Sequence, residues 1–201
     1  MKMIELPAPK LKGAASLEEA LSKRRSVRAF SKEPVTIQEI SQLLWAAQGV
    51  TEKNQGLRTA PSAGALYPLE IYAVLGRVVG LPKGVYKYFP QEHGLVKIVD
   101  TDPRKELSRA ALDQESVRDA PVVLVLSAVI ERTAVKYGTR ATRYVHMEGG
   151  HAAQNVYLQA AALKLGTVVV GAFYDKEVRK VIGMDSGESA LYIMPIGRPK
   201  K

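Results

Sequence analysis

Ala60-Pro61-Ser62-Ala63-Gly64-Ala65-Leu66-Tyr67-Pro68 sets four small residues, a leucine and a tyrosine between two prolines. Neither a helix nor a strand propagates cheaply through such a segment. Taken alone it reads as a connection punctuated by Pro61 and Pro68. It also leaves a backbone bare enough for a flat ligand to lie against. Working outward, Arg24-Arg25-Ser26-Val27-Arg28 lies upstream and Gly197-Arg198-Pro199 lies near the end of the chain. Guanidinium donors suited to a phosphate therefore stand toward both ends of the sequence.

The chain has 201 residues, enough for one domain with a full core and short for two. We expect an N-terminal arm over residues 1–14 and a single domain over 15–201, with disorder only at the two ends. Hydrophobic residues make up 46% and charged ones 24%, which places the chain among ordinary globular proteins. Lys and Arg number 29 against 20 Asp and Glu, a net charge of +9 that favours an anionic partner: nucleic acid, a phosphorylated cofactor or an anionic surface. The basic residues are scattered, with no aromatic-interleaved RNA-binding pattern, so nucleic acid is the minor reading. There is no cysteine, so a redox role here needs an organic cofactor. No apolar run approaches a membrane span and Met1 to Lys12 lacks a signal-type apolar region, so a soluble, cytoplasmic protein is expected.

Capping boxes at Ser16-Leu17-Glu18-Glu19 and Thr36 to Glu39 each open a helix. The first runs toward Arg24 and Arg25. The second carries Ile37, Ile40, Leu43, Leu44 and Ala47 on one face and stops at Gly49. Thr51 to Thr59 reads as a mobile polar loop. Leu69 to Leu75, Gly84 to Phe89 and Leu95 to Val99 read as strands, the last two joined by a turn at Gln91 to Gly94. Asp102-Pro103 starts a helix through about Leu112, and Pro121 to Ile130 is a continuous apolar run expected as a central strand. Apolar residues at helical spacing from about Thr139 to Leu165 predict a core helix of roughly 35 to 40 Å. A strand over Thr167 to Phe173, a helix over Lys176 to Ile182 and a strand over Ala190 to Ile196 complete an α+β pattern.

Arg24, Arg25 and Arg28 read either as cations complementing a helix C-terminus or as a phosphate clamp, with Ser26 adding a hydroxyl and Arg198 a further donor. His146, Glu148 and His151 lack the spacing of a helical zinc motif, so no metal is expected. Ser62 is outside any nucleophile elbow and reads as a ligand donor. Glycine at Val170-Gly171-Ala172 lets backbone amides approach a planar ring.

Together, Arg24 to Arg28, Ala60 to Pro68, Glu148-Gly149-Gly150-His151 leading into Gln154-Asn155, Val170-Gly171-Ala172-Phe173 and Pro195-Ile196-Gly197-Arg198-Pro199 resemble the FMN-dependent nitroreductase superfamily. The nearer likeness is to its SagB-type branch, which includes azoline dehydrogenases. The resemblance implies an antiparallel-rich sheet flanked by helices and an intertwined homodimer with FMN at the interface. Arg24, Arg25, Ser26 and Arg28 would hold the phosphate, ribityl chain and pyrimidine edge, with Gly197-Arg198 at the phosphate. Pro61, Ser62, Ala63, Gly64 and Leu66 would cover the ring from the partner subunit. Gly171 and Ala172 would offer amides near flavin N5. The implied activity is ping-pong hydride transfer from NADH or NADPH to a small electron-poor acceptor. One alternative, resting on Lys136-Tyr137 as catalytic base and orienter, is oxidation of a peptide thiazoline or oxazoline. Another is a non-catalytic flavin-binding or basic nucleic-acid-binding role. Ala65 and Tyr67 stand where many nitroreductases carry Asn and Gln, which points away from nitroaromatic specificity.

Overall fold

The structure is a computed structural model that describes residues 2–200. The chain begins with β1 (Met3–Glu5), α1 (Leu17–Lys23), β2 (Val35–Thr36), α2 (Ile37–Gln48), β3 (Val50–Glu52) and β4 (Leu57–Arg58). After a 3-10 turn at Ala63–Ala65 come β5 (Leu69–Leu75), β6 (Val78–Val79), β7 (Gly84–Phe89) and β8 (Gly94–Val99). The second half runs through α3 (Arg104–Ala110), α4 (Glu115–Asp119), β9 (Val122–Ala128), α5 (Ile130–Tyr137) and α6 (Ala141–Ala162). It closes with β10 (Gly166–Thr167), α7 (Asp175–Ile182) and β11 (Ser189–Gly197).

Seven strands form one sheet in the order β1-β8-β7-β5-β9-β11-β10, every neighbouring pair antiparallel. Its central strands are buried on both faces, and their side chains alternate between two cores. Leu69, Ile71, Ala73 and Leu75 of β5 join Val122, Leu124 and Leu126 of β9 on the face covered by α2 and α6. Tyr72 and Val74, with Val123 and Val125, turn to the opposite core, which also holds Leu107 of α3, Val117 of α4 and Val178 of α7. This double coverage is why β9 reads as an unbroken apolar run. The fold is α+β, as expected, with a long helix on one face.

Local chemistry explains α2. Thr36 Oγ1 accepts from the Glu39 N–H at 3.2 Å, and Glu39 Oε2 accepts from the Thr36 N–H at 2.8 Å, a complete capping box. The helix ends at Gly49, where a Cβ would lie 2.1 Å from the Trp45 ring, so only glycine fits that close approach. Leu43 and Leu44 are fully buried, each contributing about 1.5–3 kcal/mol of apolar transfer.

One polar network crosses the sheet. Glu188, 3% exposed, accepts from Tyr72 Oη at 2.9 Å, Lys87 Nζ at 2.9 Å and Ser127 Oγ at 2.6 Å. Lys87 also pairs with Glu70 at 3.3 Å, and Glu70 in turn with Arg132 at 2.5 Å. These partners hold the Lys87 ammonium in its charged form well above the usual lysine range, against the opposing effect of burial.

Several expectations are corrected. The N-terminal segment is ordered where Met3–Glu5 pairs with β8 as an edge strand, and Lys10 N–H donates to Gln42 at 2.8 Å. Thr51 to Thr59 is largely a β3–β4 hairpin rather than an open loop, stabilised by Glu52 accepting from the Asn54 and Gln55 N–H groups. The helix after Pro103 stops at Ala110, because Leu112 and Asp113 adopt left-handed backbone, and a separate α4 follows. The apolar run ends its strand at Ala128, and Ile130–Tyr137 is a helix. The long helix spans 22 residues, about 33 Å. The strand foreseen over Thr167 to Phe173 is reduced to Gly166–Thr167 and a lone bridge between Val170 and Ile193.

Candidate active site

The segment from Pro61 to Pro68 is held in a conformation its sequence does not prefer. Gly64, Ala65 and Tyr67 have φ of +66°, +54° and +46°, and the last two carry a left-handed cost that glycine escapes. Tyr67 shows what offsets it. Its N–H donates to Ser62 Oγ at 2.9 Å, and its carbonyl accepts from Arg132 Nη1 at 3.3 Å. Its hydroxyl accepts from the Arg58 N–H at 3.3 Å, and the Arg58 guanidinium lies 4.4 Å from its ring centroid. The Glu70–Arg132 pair thus ties the cross-sheet network to this turn.

Beneath the turn, Ser62 Oγ donates to Glu148 Oε2 at 2.5 Å. Glu148 is only 3% exposed, and burial pushes its carboxyl up to about 7, with the Ser62 hydrogen bond and the Arg58 charge acting in the opposite direction. Three buried polar atoms around this cluster have no protein partner: Glu148 Oε1, Gln48 Nε2 and Arg58 Nε. Arg58 Nη1 donates to Gln48 Oε1 at 2.9 Å, which links two of the three residues directly.

On the outer side, α5 carries Lys136 and Tyr137 to the same turn. A Cβ at Gly64 would lie 3.0 Å from Tyr137 Oη and 3.2 Å from both Cδ and Nζ of Lys136. The two motifs are more than seventy residues apart in sequence and touch in the fold. Pro61 and Gly64 are exposed and Ser62, Ala63 and Leu66 half-buried, so the segment presents a small-residue surface beside a lysine and a tyrosine.

The basic cluster lies at the other end of α6. Lys23, Arg24, Arg25, Tyr157, Lys164 and Thr167 line a cleft of about 380 Å³. The Arg24 guanidinium sits 5.2 Å from the Tyr157 ring centroid, and Ser26 Oγ is 3.2 Å from Tyr157 Oη, which accepts from the Val169 N–H at 2.8 Å. Arg25 donates to the carbonyls of Ser22 and Arg24 at 2.9 and 2.7 Å, closing its own helix end. Thr167 is buried and its Oγ1 has no protein partner.

Other candidates are placed elsewhere. Arg28 is exposed and outside this cleft. Arg198 pairs with Glu39 at 2.8 Å and Glu33 at 3.2 Å, so its guanidinium is occupied by carboxylates. Gly197 allows close packing, since a Cβ there would lie 2.6 Å from the Pro121 ring. Gly171 and Ala172 are exposed, and Gly171 faces open space in a second cleft of about 360 Å³ with His146, Phe173 and Tyr192. His146 and Tyr157 are eleven residues apart on α6, about 17 Å along its axis, so the two clefts lie along one helix.

The sequence gives no site role to Lys164 or Thr167, and it offers Glu148 only as a rejected metal ligand and as part of a family-like motif. Lys164 and Thr167 join the cluster only through the fold. For Glu148 a signal exists: it falls between Val145 and Ala152 on the apolar stripe of α6, where an unpartnered carboxyl has no reason to be.

Residues 21–198 match the nitroreductase family. The chain belongs to it. A protein of Methanocaldococcus jannaschii named as a nitroreductase is 53% identical over 182 residues, 90% of each chain. The microcin B17-processing protein McbC of Escherichia coli is 28% identical over 168 residues, 81% of this chain and 62% of McbC, in keeping with the SagB-type resemblance. A crystal structure described as a nitroreductase of Ralstonia eutropha superposes with a TM-score of 0.87 at 29% identity, covering 100% of this chain and 91% of that one. This nitroreductase-family member is an oxidoreductase, and no described helix is long and apolar enough to cross a membrane.

Proposed function

We propose that the protein is an FMN-dependent oxidoreductase that takes hydride from NADH or NADPH and delivers it to a small electron-poor acceptor. It works as a cytoplasmic homodimer, where reduced nicotinamide is supplied. The observation that carries the reading is the cleft at Lys23, Arg24, Arg25 and Lys164 with the orphaned Thr167 hydroxyl beneath it, a donor set with cations and a free polar group suited to a phosphate. FMN, when bound, supplies a reversible hydride acceptor at N5.

The chain's own residues bind and orient. Arg24 and Lys164 neutralise phosphate charge, Ser26 and Thr167 offer hydroxyls, and Tyr157 braces Arg24. Gly171 lines the second cleft and Ala172 beside it is exposed, so their amides would be the groups to polarise a ring edge there. Glu148, under the Pro61–Gly64 surface, and Tyr157, in the cationic cleft, are nine residues apart, about 14 Å along α6. The likeness to the nitroreductase family supports a dimer in which Pro61, Ser62, Ala63, Gly64 and Leu66 of one subunit cover a ring whose phosphate is held by the other. Arg28, exposed near this cluster in sequence, would serve the pyrimidine edge, and Arg198, paired with Glu33 and Glu39, would serve the phosphate.

A second reading is supported by Lys136 and Tyr137 at Gly64 and by the likeness to McbC: oxidation of a thiazoline or oxazoline in a peptide, with Lys136 as base and Tyr137 as orienter. The visible spectrum of the purified protein, followed through anaerobic addition of NADH and then NADPH, tests the first reading. Bleaching of a flavin band is expected. A colourless protein that stays empty after incubation with FMN refutes it, and a yellow one that neither nucleotide bleaches refutes the donor and favours the azoline reading.

A further inference from the structure

We propose that Glu148 is a positioning residue that sets the direction of the Ser62 hydroxyl, and thereby whether Ser62 donates a hydrogen bond to the ring laid against Pro61–Gly64. The inference rests on the FMN reading above and concerns a residue that reading leaves without a role.

Ser62 has one hydroxyl hydrogen, and it points inward to Glu148 Oε2 at 2.5 Å. One of its lone pairs is taken by the Tyr67 N–H at 2.9 Å. In this arrangement Ser62 has no hydrogen for anything on its half-exposed outer side. A protonated Glu148 reverses the bond: its carboxyl donates, the second lone pair of Ser62 accepts, and the serine hydrogen is released outward. No backbone movement is required, because Tyr67 keeps its bond in both states.

Burial makes the protonated state accessible. The carboxyl is 3% exposed and its Oε1 has no protein partner. Arg58 of β4 is the charged group that faces it, and burial works against that guanidinium as well. Around them, Glu70 of β5 and Arg132 of α5 act on Arg58, and Lys136 and Tyr137 of α5 flank Gly64 on the outer side of the turn. From α2, the neutral Gln48 bonds Arg58, while His146 and His151 on α6 itself are exposed.

The test is FMN affinity of the full-length protein, by fluorescence quenching, in wild type, Ser62→Ala and Glu148→Gln at about pH 5.5 and about pH 8.5, either side of the Glu148 transition near 7. FMN's own phosphate titrates in this range, so ratios between proteins at one pH are read. The expected Ser62→Ala to wild-type ratio of Kd is about three- to tenfold at the acid pH and near unity at the alkaline one, the worth of one released hydrogen bond. For Glu148→Gln, the ratio to Ser62→Ala should not change with pH. A Ser62→Ala ratio that is the same at both pH values overturns the proposal, and this arm decides alone if Glu148→Gln does not fold. The infrared band of a protonated carboxyl in flavin-free protein, present at acid pH and lost in Glu148→Gln, is the second readout. Its absence in wild type overturns the proposal without reference to flavin. Wild type that shows the band but binds no FMN refutes the cofactor and with it the role assigned to Ser62, leaving the buried proton established.

Discussion

Replacing Glu148 with Gln separates the charge of this carboxyl from its shape. Folded Glu148 keeps its proton up to about 7, whereas the ordinary value for an exposed glutamate is 4.5. Between those values the folded protein binds more protons than the unfolded chain, so this residue's contribution to stability declines as pH rises and is fully lost above about 7. At about 1.4 kcal/mol per decade the decline amounts to about 3 kcal/mol, the cost of ionising a carboxyl buried among Ser62, Arg58 and Gln48. In Glu148→Gln the amide fills the same space, still accepts from Ser62 and has no proton to lose. Urea denaturation of both proteins from about pH 4.5 to about pH 8.5 measures the difference. The stability of Glu148→Gln relative to wild type should improve by about 3 kcal/mol across that window, whatever its offset at the acid end. A difference that stays flat, or that moves in favour of wild type as pH rises, refutes a buried carboxyl held neutral by desolvation.

Two further outcomes test the scaffold. Glu188→Ala strips Lys87, Tyr72 and Ser127 of their shared acceptor and should cost about 3 kcal/mol in urea denaturation, with Glu70 retaining part of the Lys87 charge; a loss under about 1 kcal/mol would mean the network contributes little. Gly64→Ala forces a Cβ into left-handed backbone at φ +66° and against Lys136 and Tyr137, so the melting temperature should fall by about 2 to 4 °C, and an unchanged or higher value would contradict this turn geometry.

The elements that sequence predicts well are those whose cause is local. Thr36 and Glu39 announce α2 because a capping box is written in four consecutive residues, and Val122 to Ala128 announces a central strand because both faces are buried. The hairpin of β3 and β4 is concealed by its polar composition, since Glu52 stabilises it through backbone amides rather than apolar alternation. Ile130–Tyr137 is concealed for the opposite reason: Val129 and Ile130 prolong the apolar run past the end of its strand. In the site, adjacency in sequence exposes Arg24 and Arg25 as a cluster and Pro61 to Gly64 as a surface. Adjacency does not reveal that Arg198 faces Glu33 and Glu39, nor that Lys164 and Thr167 join Arg24, because those meetings depend on where the last strands close. Glu148 is the exception, a charged residue on an apolar stripe whose position alone asks for a partner.

The two ends of the chain are stitched together. The Val27 N–H donates to the Thr167 carbonyl at 2.9 Å, the Ser31 N–H to the Arg198 carbonyl at 2.9 Å, and the Lys200 N–H to the Ala29 carbonyl at 3.0 Å. Arg198 meanwhile grips the capping glutamate of α2. Of these bonds the one inside the Arg24–Arg28 segment is that of Val27, whose acceptor Thr167 is made long after it. The cationic cleft is therefore a late product of folding, because Arg24 and Arg25 meet Lys164 and Thr167 only after the intervening sheet and α6 have formed.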